Sequence, residues 1–301
     1  MTHLRVPASS ANLGPGFDAL GLALGIYLDC RFARAEGLSI SVNGRDAACI
    51  STGENNLIWQ TALAVARDVG GSLPPIHLDI ANDIPIGKGL GSSAAALTAG
   101  VVIADQLLGL HWNRLRILDE AARIEGHPDN VAGCVLGSIV ATAMEPGGTA
   151  RAVRLEFPAS FGLAVVVPDF ILPTSEARAV LPECYVRADA IFNVQRSALL
   201  IAALATGSTS AFPAALEDRL HQPYRAALVP GLDEIVKLRA PGLLGCCLSG
   251  AGPSVLVFFE KGHETVCDLV RHIFALQGKQ SEVFWPEIAP HGYELKSDRP
   301  D

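Results

Sequence analysis

One stretch constrains this chain more than any other: Pro85-Ile86-Gly87-Lys88-Gly89-Leu90-Gly91-Ser92-Ser93-Ala94-Ala95-Ala96. Glycine at Gly87, Gly89 and Gly91 opens backbone angles closed to other residues and lets the main chain approach a ligand closely. Successive N–H groups in such a turn can converge on an anion. The helix expected from Ser92 to about Leu108 adds roughly half a positive charge at its start. Ser92 and Ser93 fall in its first turn, where a hydroxyl can cap the helix, bond a phosphate or ligate Mg²⁺. A turn that only packs a helix against a strand has the same composition, and the stretch alone fits both uses equally. It is not a P-loop, because no Gly-Lys-Ser/Thr falls at the required spacing and Lys88 lies between glycines. Its glycines, two apart throughout, do not match a dinucleotide-binding turn either.

The rest of the chain has to build a fold around that turn. With 301 residues, half of them hydrophobic, it has material for one large domain or two ordinary ones and a substantial core. The formal charge of -8 argues against a nucleic-acid partner, which demands a basic face, but not against a nucleotide. The seven cysteines are scattered, mostly in apolar runs and without a CxxC pair, as expected of buried thiols in a reducing cytoplasm. No signal peptide is expected before Leu4, where polar and apolar residues are already mixed. The longest apolar stretches, broken by Thr98, Gly100, Asp105 and Gln106, fall short of a membrane span. A cytoplasmic protein with no membrane partner is expected.

In chain order, Leu4 to Ala8 reads as a strand leading into a long small-residue loop, Ser9 to Asp18. Ala19 to Val42 reads as strands of an antiparallel sheet. Asn55 or Asn56 caps a helix through Asp68, and Ile76 to Ile80 is a strand running into the glycine stretch. Asn113 caps a further helix through about Glu125, ended by Gly126, and Pro128 suits the first turn of the next. A Pro-Gly-Gly turn follows the strand from Gly137 to Met144, and the boundary between two domains, 1–150 and 151–301, is placed there. Strands are expected at Val153–Phe157, Leu163–Val167, Leu243–Leu248 and Val255–Phe259. Helices are expected from Thr174 or Ser175, over Asp189–Ala205, Leu232–Leu238 and Glu264–Leu276, and a last strand near Glu282–Phe284 ends the fold. Strands and helices without strict alternation argue for an α+β fold in two lobes.

An anion cradle that moves phosphoryl groups needs a metal and a group to position the attacking hydroxyl. Glu125 and Asp129, around Gly126-His127-Pro128, are the acids in a loop of suitable geometry. Individually, Glu125 reads as a solvated helix end, Asp129 as a helix N-terminal charge and His127 as a loop histidine. Beside the glycine stretch they read as a site.

The segments Pro7–Asp18, Pro85–Ala96 and Leu248–Ser254 resemble, in order and across nearly the whole chain, the three motifs of the GHMP kinases: galactokinase, homoserine kinase, mevalonate kinase and phosphomevalonate kinase. Ser10-Ala11-Asn12-Leu13-Gly14-Pro15-Gly16-Phe17-Asp18 and Glu125-Gly126-His127-Pro128-Asp129-Asn130-Val131 resemble the homoserine kinase branch. The resemblance implies a ribosomal-protein-like N-terminal lobe and a ferredoxin-like α/β-plait C-terminal lobe. It implies that ATP phosphates are held by Pro85, Ile86, Gly87, Lys88, Gly89, Leu90, Gly91, Ser92, Ser93 and Ala94, and adenine by Asn56. Ser93 and Glu125 would ligate Mg²⁺, with Asp119 or Glu120 an alternative to Glu125. L-homoserine would lie against Asn12, Asp18, His127, Arg178 and Arg225, the two arginines forking its carboxylate. Asp129 and Asn130 would serve the hydroxyl, with or without Asp129 acting as a true base. The product would be O-phospho-L-homoserine, the precursor of threonine, and the particle a homodimer.

Other readings stay open at this point. Arg178 and Arg225 suit any carboxylate, so a mevalonate-type kinase or one for a diphosphocytidyl sugar alcohol remains. A non-catalytic sensor would show a broken phosphate loop or lack the metal carboxylate, and this chain shows neither. Ser249–Ser254 reads either as a support for the pocket or as a plain hairpin.

Overall fold

The computed structural model describes residues 1–297. Strands β1 (Thr2–Asn12) and β2 (Gly16–Arg34) form an antiparallel hairpin. In β2 every second residue from Leu20 to Phe32 is buried, while Tyr27, Asp29 and Arg31 fall on the opposite, wetter face. The segment expected to be a long loop is therefore mostly strand: β1 runs through Asn12, and only Leu13, Gly14 and Pro15 make the turn. Buried Ser9 and Ser10 continue the pairing because small side chains let another segment lie close above them.

Next come β3 (Ser39–Gly44), α1 (Leu57–Asp68) and β4 (Ile76–Asn82). β3 lies parallel to β4, with Ser39 opposite His77, so the sheet is not antiparallel throughout as expected. Helix α1 supplies the long crossover that a parallel pair requires. Helices α2 (Ser92–Leu108), α3 (Arg114–Glu125) and α4 (Asp129–Leu136) complete the layer that packs with this sheet around one core. α1 crosses α2 at Gly100, where a Cβ would press on the Ile58 carbonyl oxygen and the Thr61 side chain. A hairpin of β5 (Ile139–Met144) and β6 (Ala150–Leu155) joins the sheet through β5 against β2.

The chain passes to a second sheet between Leu155 and Phe161, so the proposed division at residue 150 falls at the head of β6. The remaining elements are β7 (Phe161–Pro168), α5 (Thr174–Ala179), α6 (Arg187–Thr206), α7 (Gln222–Arg225), α8 (Leu232–Ile235), β8 (Leu243–Leu248), β9 (Val255–Glu260), α9 (Val266–Leu276) and β10 (Ser281–Phe284). The four strands lie antiparallel in the order β10-β7-β9-β8, with helices after the first and the third, which is the ferredoxin-like arrangement.

Two expectations are corrected here. The fold does not end near Phe284: β11 (Glu294–Ser297) returns to the first sheet and pairs antiparallel with β1. On the way, Gly25 donates to the Glu287 carbonyl, Ser138 to that of Ala289, and Tyr293 to that of Cys134. These bonds are mostly backbone to backbone, which is why the residue pattern gave no sign of the segment's course. Further, α6 is long and apolar enough, by length and composition alone, to cross a membrane. It is nevertheless tied into the fold: Asn193 Nδ2 and Ser197 Oγ both donate to the Pro15 carbonyl, and Leu200, Ala203 and Leu204 are buried.

Candidate active site

Gly87, Gly89 and Gly91 have φ of 69°, 74° and 67°, a left-handed run that side chains with a Cβ adopt only under strain. A Cβ on Gly89 would strike the Ser249 carbonyl oxygen, and one on Gly91 the Ser9 hydroxyl. The loop is therefore wedged between β1 and the turn that follows β8. Four of its carbonyls are bonded to neighbouring segments. The carbonyls of Gly87, Lys88 and Leu90 accept from Leu172 N at 3.1 Å, Ser254 N at 3.3 Å and Ser9 N at 3.1 Å, and that of Gly89 from Ser249 Oγ at 2.7 Å. With four successive carbonyls tied down by neighbours, the N–H side of the loop is left for the cavity it lines. One face of the loop is thus a packing turn, and the other lines the cavity. Ser249–Ser254 is the clasp that holds it, with Ser249 Oγ and Ser10 Oγ also hydrogen-bonded at 2.8 Å.

The cavity is about 420 Å³ and lies between the two lobes. α2 starts at its wall with Gly91 at the cap and no side chain satisfying the first N–H groups. Ser93 is exposed there, in the first turn. Glu125 ends α3 on the facing wall. Burial raises its pKa above the usual carboxylate range, and its one ion-pair contact among the described residues is His127 Nε2 at 3.8 Å. The alternatives to Glu125 are committed elsewhere. Asp119 Oδ1 accepts from the Ala150 N–H, and buried Glu120 bridges Arg116 and Arg123. Neither lines the cavity.

Half-buried His127 and buried Asp129 form a couple, Nδ1 to Oδ1 at 2.9 Å. Burial disfavours the protonated histidine. The hydrogen bond and charge of Asp129, followed by the charge of Glu125, outweigh this and raise the His127 pKa. The same Asp129 oxygen accepts from Asn130 N at 2.8 Å, and Ser9 Oγ donates to Asn130 Oδ1. Asp18, His127 and Asp129 bring one potential ligand atom each within 4.8 Å of one another. That set is less suited to Mg²⁺ than Ser93 with Glu125, since it includes a nitrogen donor and its acids already hold His127 and Arg178.

The two arginines differ. Arg178, on α5, makes a two-pronged pair with Asp18, at 2.7 and 3.2 Å. Burial works against its charge, but the Asp18 bonds prevail and raise its pKa. Arg225, on α7, is 1% exposed and makes no ion pair among the described residues. It donates to the carbonyls of Ala177 and Gly250 and lies 3.1 Å from His221 Nδ1. Burial, then the charge of Arg178, lowers its pKa to about 10. Both guanidinium groups sit over the Phe17 ring, at 5.6 and 5.4 Å, and that ring stacks on His221.

Several expected contacts are placed differently. Asn56 lines the cavity, yet its Oδ1 accepts from Ile58 N and Trp59 N and its Nδ2 donates to the Ser51 carbonyl, so the side chain serves the helix cap. Asn12 is also half spent: Nδ2 donates to the Gly250 carbonyl and Oδ1 accepts from Asp18 N, which aims Asp18. Lys88 is turned from the cavity altogether, its Nζ bonded to the Pro168 and Phe170 carbonyls. Sequence reasoning missed the apolar wall of Cys49, Ile50, Leu57 and Ile80, for which no local signal exists, and the roles of Phe17 and His221. His221 could have been suspected from its place one helical turn before Arg225.

Residues 56–138 match the family described as GHMP kinases N terminal domain, and residues 200–266 the one described as GHMP kinases C terminal. The chain is 70% identical over 293 residues to a homoserine kinase of Solibacter usitatus, covering 97% of this chain and 96% of that one. It is 45% identical over 263 residues to a homoserine kinase of Deinococcus radiodurans, covering 87% and 85%. Among solved structures, the homoserine kinase from Cytophaga hutchinsonii superposes with a TM-score of 0.83 at 27% identity, covering 98% of this chain and 97% of the other.

Proposed function

We propose, for a chain that belongs to the homoserine kinases of the GHMP kinase family, an assignment of roles within the cavity for its reaction. The enzyme transfers the γ-phosphate of ATP to the side-chain hydroxyl of L-homoserine. The observation that carries the assignment is Arg225: a buried cation with no carboxylate partner among the described residues, facing the same cavity as the glycine loop. A buried charge left unpaired is costly, and a bound carboxylate relieves that cost.

The amides of Gly87–Ser93 and the start of α2 cradle the phosphates, and the apolar wall of Cys49, Ile50, Leu57 and Ile80 takes the flat base. Arg225, with Arg178, forks the amino-acid carboxylate. The ammonium goes to Asp18, held in place by Asn12, and competes there with Arg178. His127 and Asn130 line the path of the side chain, and the second oxygen of Asp129 receives the hydroxyl hydrogen bond. Ser93 and Glu125 fit Mg²⁺, as two hard oxygen donors, one of them a carboxylate barely engaged by protein. Mg²⁺, when bound, neutralises charge on the transferring phosphoryl oxygens. A cytoplasmic homodimer completes the proposal.

An ADP-release assay over homoserine, mevalonate, shikimate, galactose and threonine tests the substrate, with homoserine expected to be preferred. Preference for mevalonate would place the carboxylate clamp in a different kinase, and silence over the panel would revive the sensor reading. Ser93→Ala is expected to raise the KM for Mg·ATP on the order of tenfold or more, as for a lost charge-assisted contact. Its melting temperature should stay within about 2 °C of the parent, because the hydroxyl is exposed and caps nothing. An unfolded variant, or one with unchanged kinetics, removes Ser93 from the cradle.

A further inference from the structure

Lys88 sits in the middle of the phosphate-cradling loop, where a cation would be expected to meet phosphate, yet its side chain leaves the loop on the side away from the cavity. Its ammonium donates to two carbonyls, Pro168 O and Phe170 O, each at 2.8 Å. One residue earlier, the Gly87 carbonyl accepts from Leu172 N at 3.1 Å. Three bonds thus fasten residues 168–172 to the loop. A Cβ on Gly87 would lie 2.6 Å from Ile171 Cγ2, so the two segments also touch directly. The fastened segment is short and leads straight into function. β7 ends at Pro168, Leu172, Pro173 and Thr174 line the cavity, and α5 begins at Thr174 and carries Arg178.

We infer that Lys88 is a positioning residue, a staple that transmits the placement of the phosphate loop to α5 and so sets Arg178 for the amino-acid substrate. The chemistry is consistent with that role. An ammonium has three donors and no directional fork, so it can clamp carbonyls two residues apart that face one point. Charge-assisted bonds of this kind are among the stronger ones. Lys88 is half-buried, and burial, partly offset by Asp169 and Asp46, lowers its pKa from the usual lysine range. Because the loop has its amides toward the phosphates and this side chain toward α5, occupancy of one side bears on the geometry of the other. Coupling of that kind is reciprocal between two ligands.

This inference rests on the proposed role of α5 in holding homoserine, so the test separates the two. Lys88→Met keeps length and apolar stem but removes the donors, and Lys88→Arg restores donors. In Lys88→Met the amides of residues 169–179 should exchange with deuterium at least threefold faster than in the parent. The KM for homoserine should rise about fivefold, with the KM for ATP within twofold, and Lys88→Arg should recover most of both effects. A rise in the ATP KM alone would make Lys88 a phosphate ligand and overturn the staple. Faster exchange with an unchanged homoserine KM would overturn the coupling, as would no change in either. Arg178→Gln in the same assays reports on the underlying reading: an unchanged homoserine KM there removes α5 from substrate binding whatever Lys88 does.

Discussion

Arg225→Gln is expected to lower kcat/KM for homoserine on the order of 10²–10³-fold, nearly all of it through KM, with the KM for ATP little changed. The size follows from the setting. Removing one partner of a buried, hydrogen-bonded charge pair costs about 2–5 kcal/mol, far more than a surface ion pair. Arg225 is buried and makes no ion pair among the described residues, and in the proposed assignment the substrate carboxylate is its partner. The same side chain also bonds the carbonyls of Ala177 and Gly250, so part of any effect could be looseness in α5 and the clasp. Arg225→Lys separates the two. It keeps the charge but loses the planar fork and the Nε donor, and should fall between the parent and the glutamine variant. Thermal melts of both would identify a folding defect. A homoserine KM within threefold of the parent in a folded Arg225→Gln protein would place the carboxylate elsewhere.

Asp129→Asn should reduce kcat about 10²-fold while leaving measurable turnover and near-normal KM values for both substrates. Asp129 is 1% exposed, and one of its oxygens is held by His127 Nδ1 and Asn130 N. Those two bonds fix that oxygen and leave the other one to accept a hydroxyl hydrogen bond. A carboxylate fixed in this way can orient a hydroxyl without having to take its proton. Phosphoryl transfer tolerates that, because its transition state asks mainly for positioning and charge stabilisation. An asparagine oxygen can still accept the hydroxyl bond, which accounts for the remaining rate. Complete loss of turnover with intact binding of ATP and homoserine would instead make Asp129 the group that takes the proton.

Where the chain announces its own ends, the sequence was sufficient. α2, α3 and β8 begin and end where expected, since Asn113 caps, Gly109 and Gly126 stop, and the apolar run Leu243–Leu248 is bounded by turns. The resemblance brought Glu125, His127, Asp129, Arg178, Arg225 and the glycine loop to one cavity, and they do meet there. What stayed hidden depends on partners distant in sequence. Nothing local to Ser39–Gly44 says that its neighbour runs parallel, because that follows from the crossover through α1. Whether Lys88 points at phosphate or at Phe170 is decided by a segment 80 residues on. Asn56 and Asn12 carry the right chemistry for ligands but are claimed first by backbone groups. In each case residue type was informative and direction was not.

The return of β11 to β1 has a consequence for the order of assembly. β1 carries the first motif and pairs with β2 on one side and with residues 294–297 on the other. On a ribosome, all residues of the proposed phosphate cradle emerge long before the strand that covers this edge. Until then β1 presents unpaired backbone groups, a condition that invites association with other chains. The N-terminal lobe therefore does not finish independently of the C-terminal one, although domains usually complete in the order they are made. Its last contacts join residues nearly the whole chain apart, the most entropically expensive kind of closure. Completion of the kinase and protection of its sheet edge coincide, so a nascent chain holding every residue that lines the cavity is still an unfinished sheet.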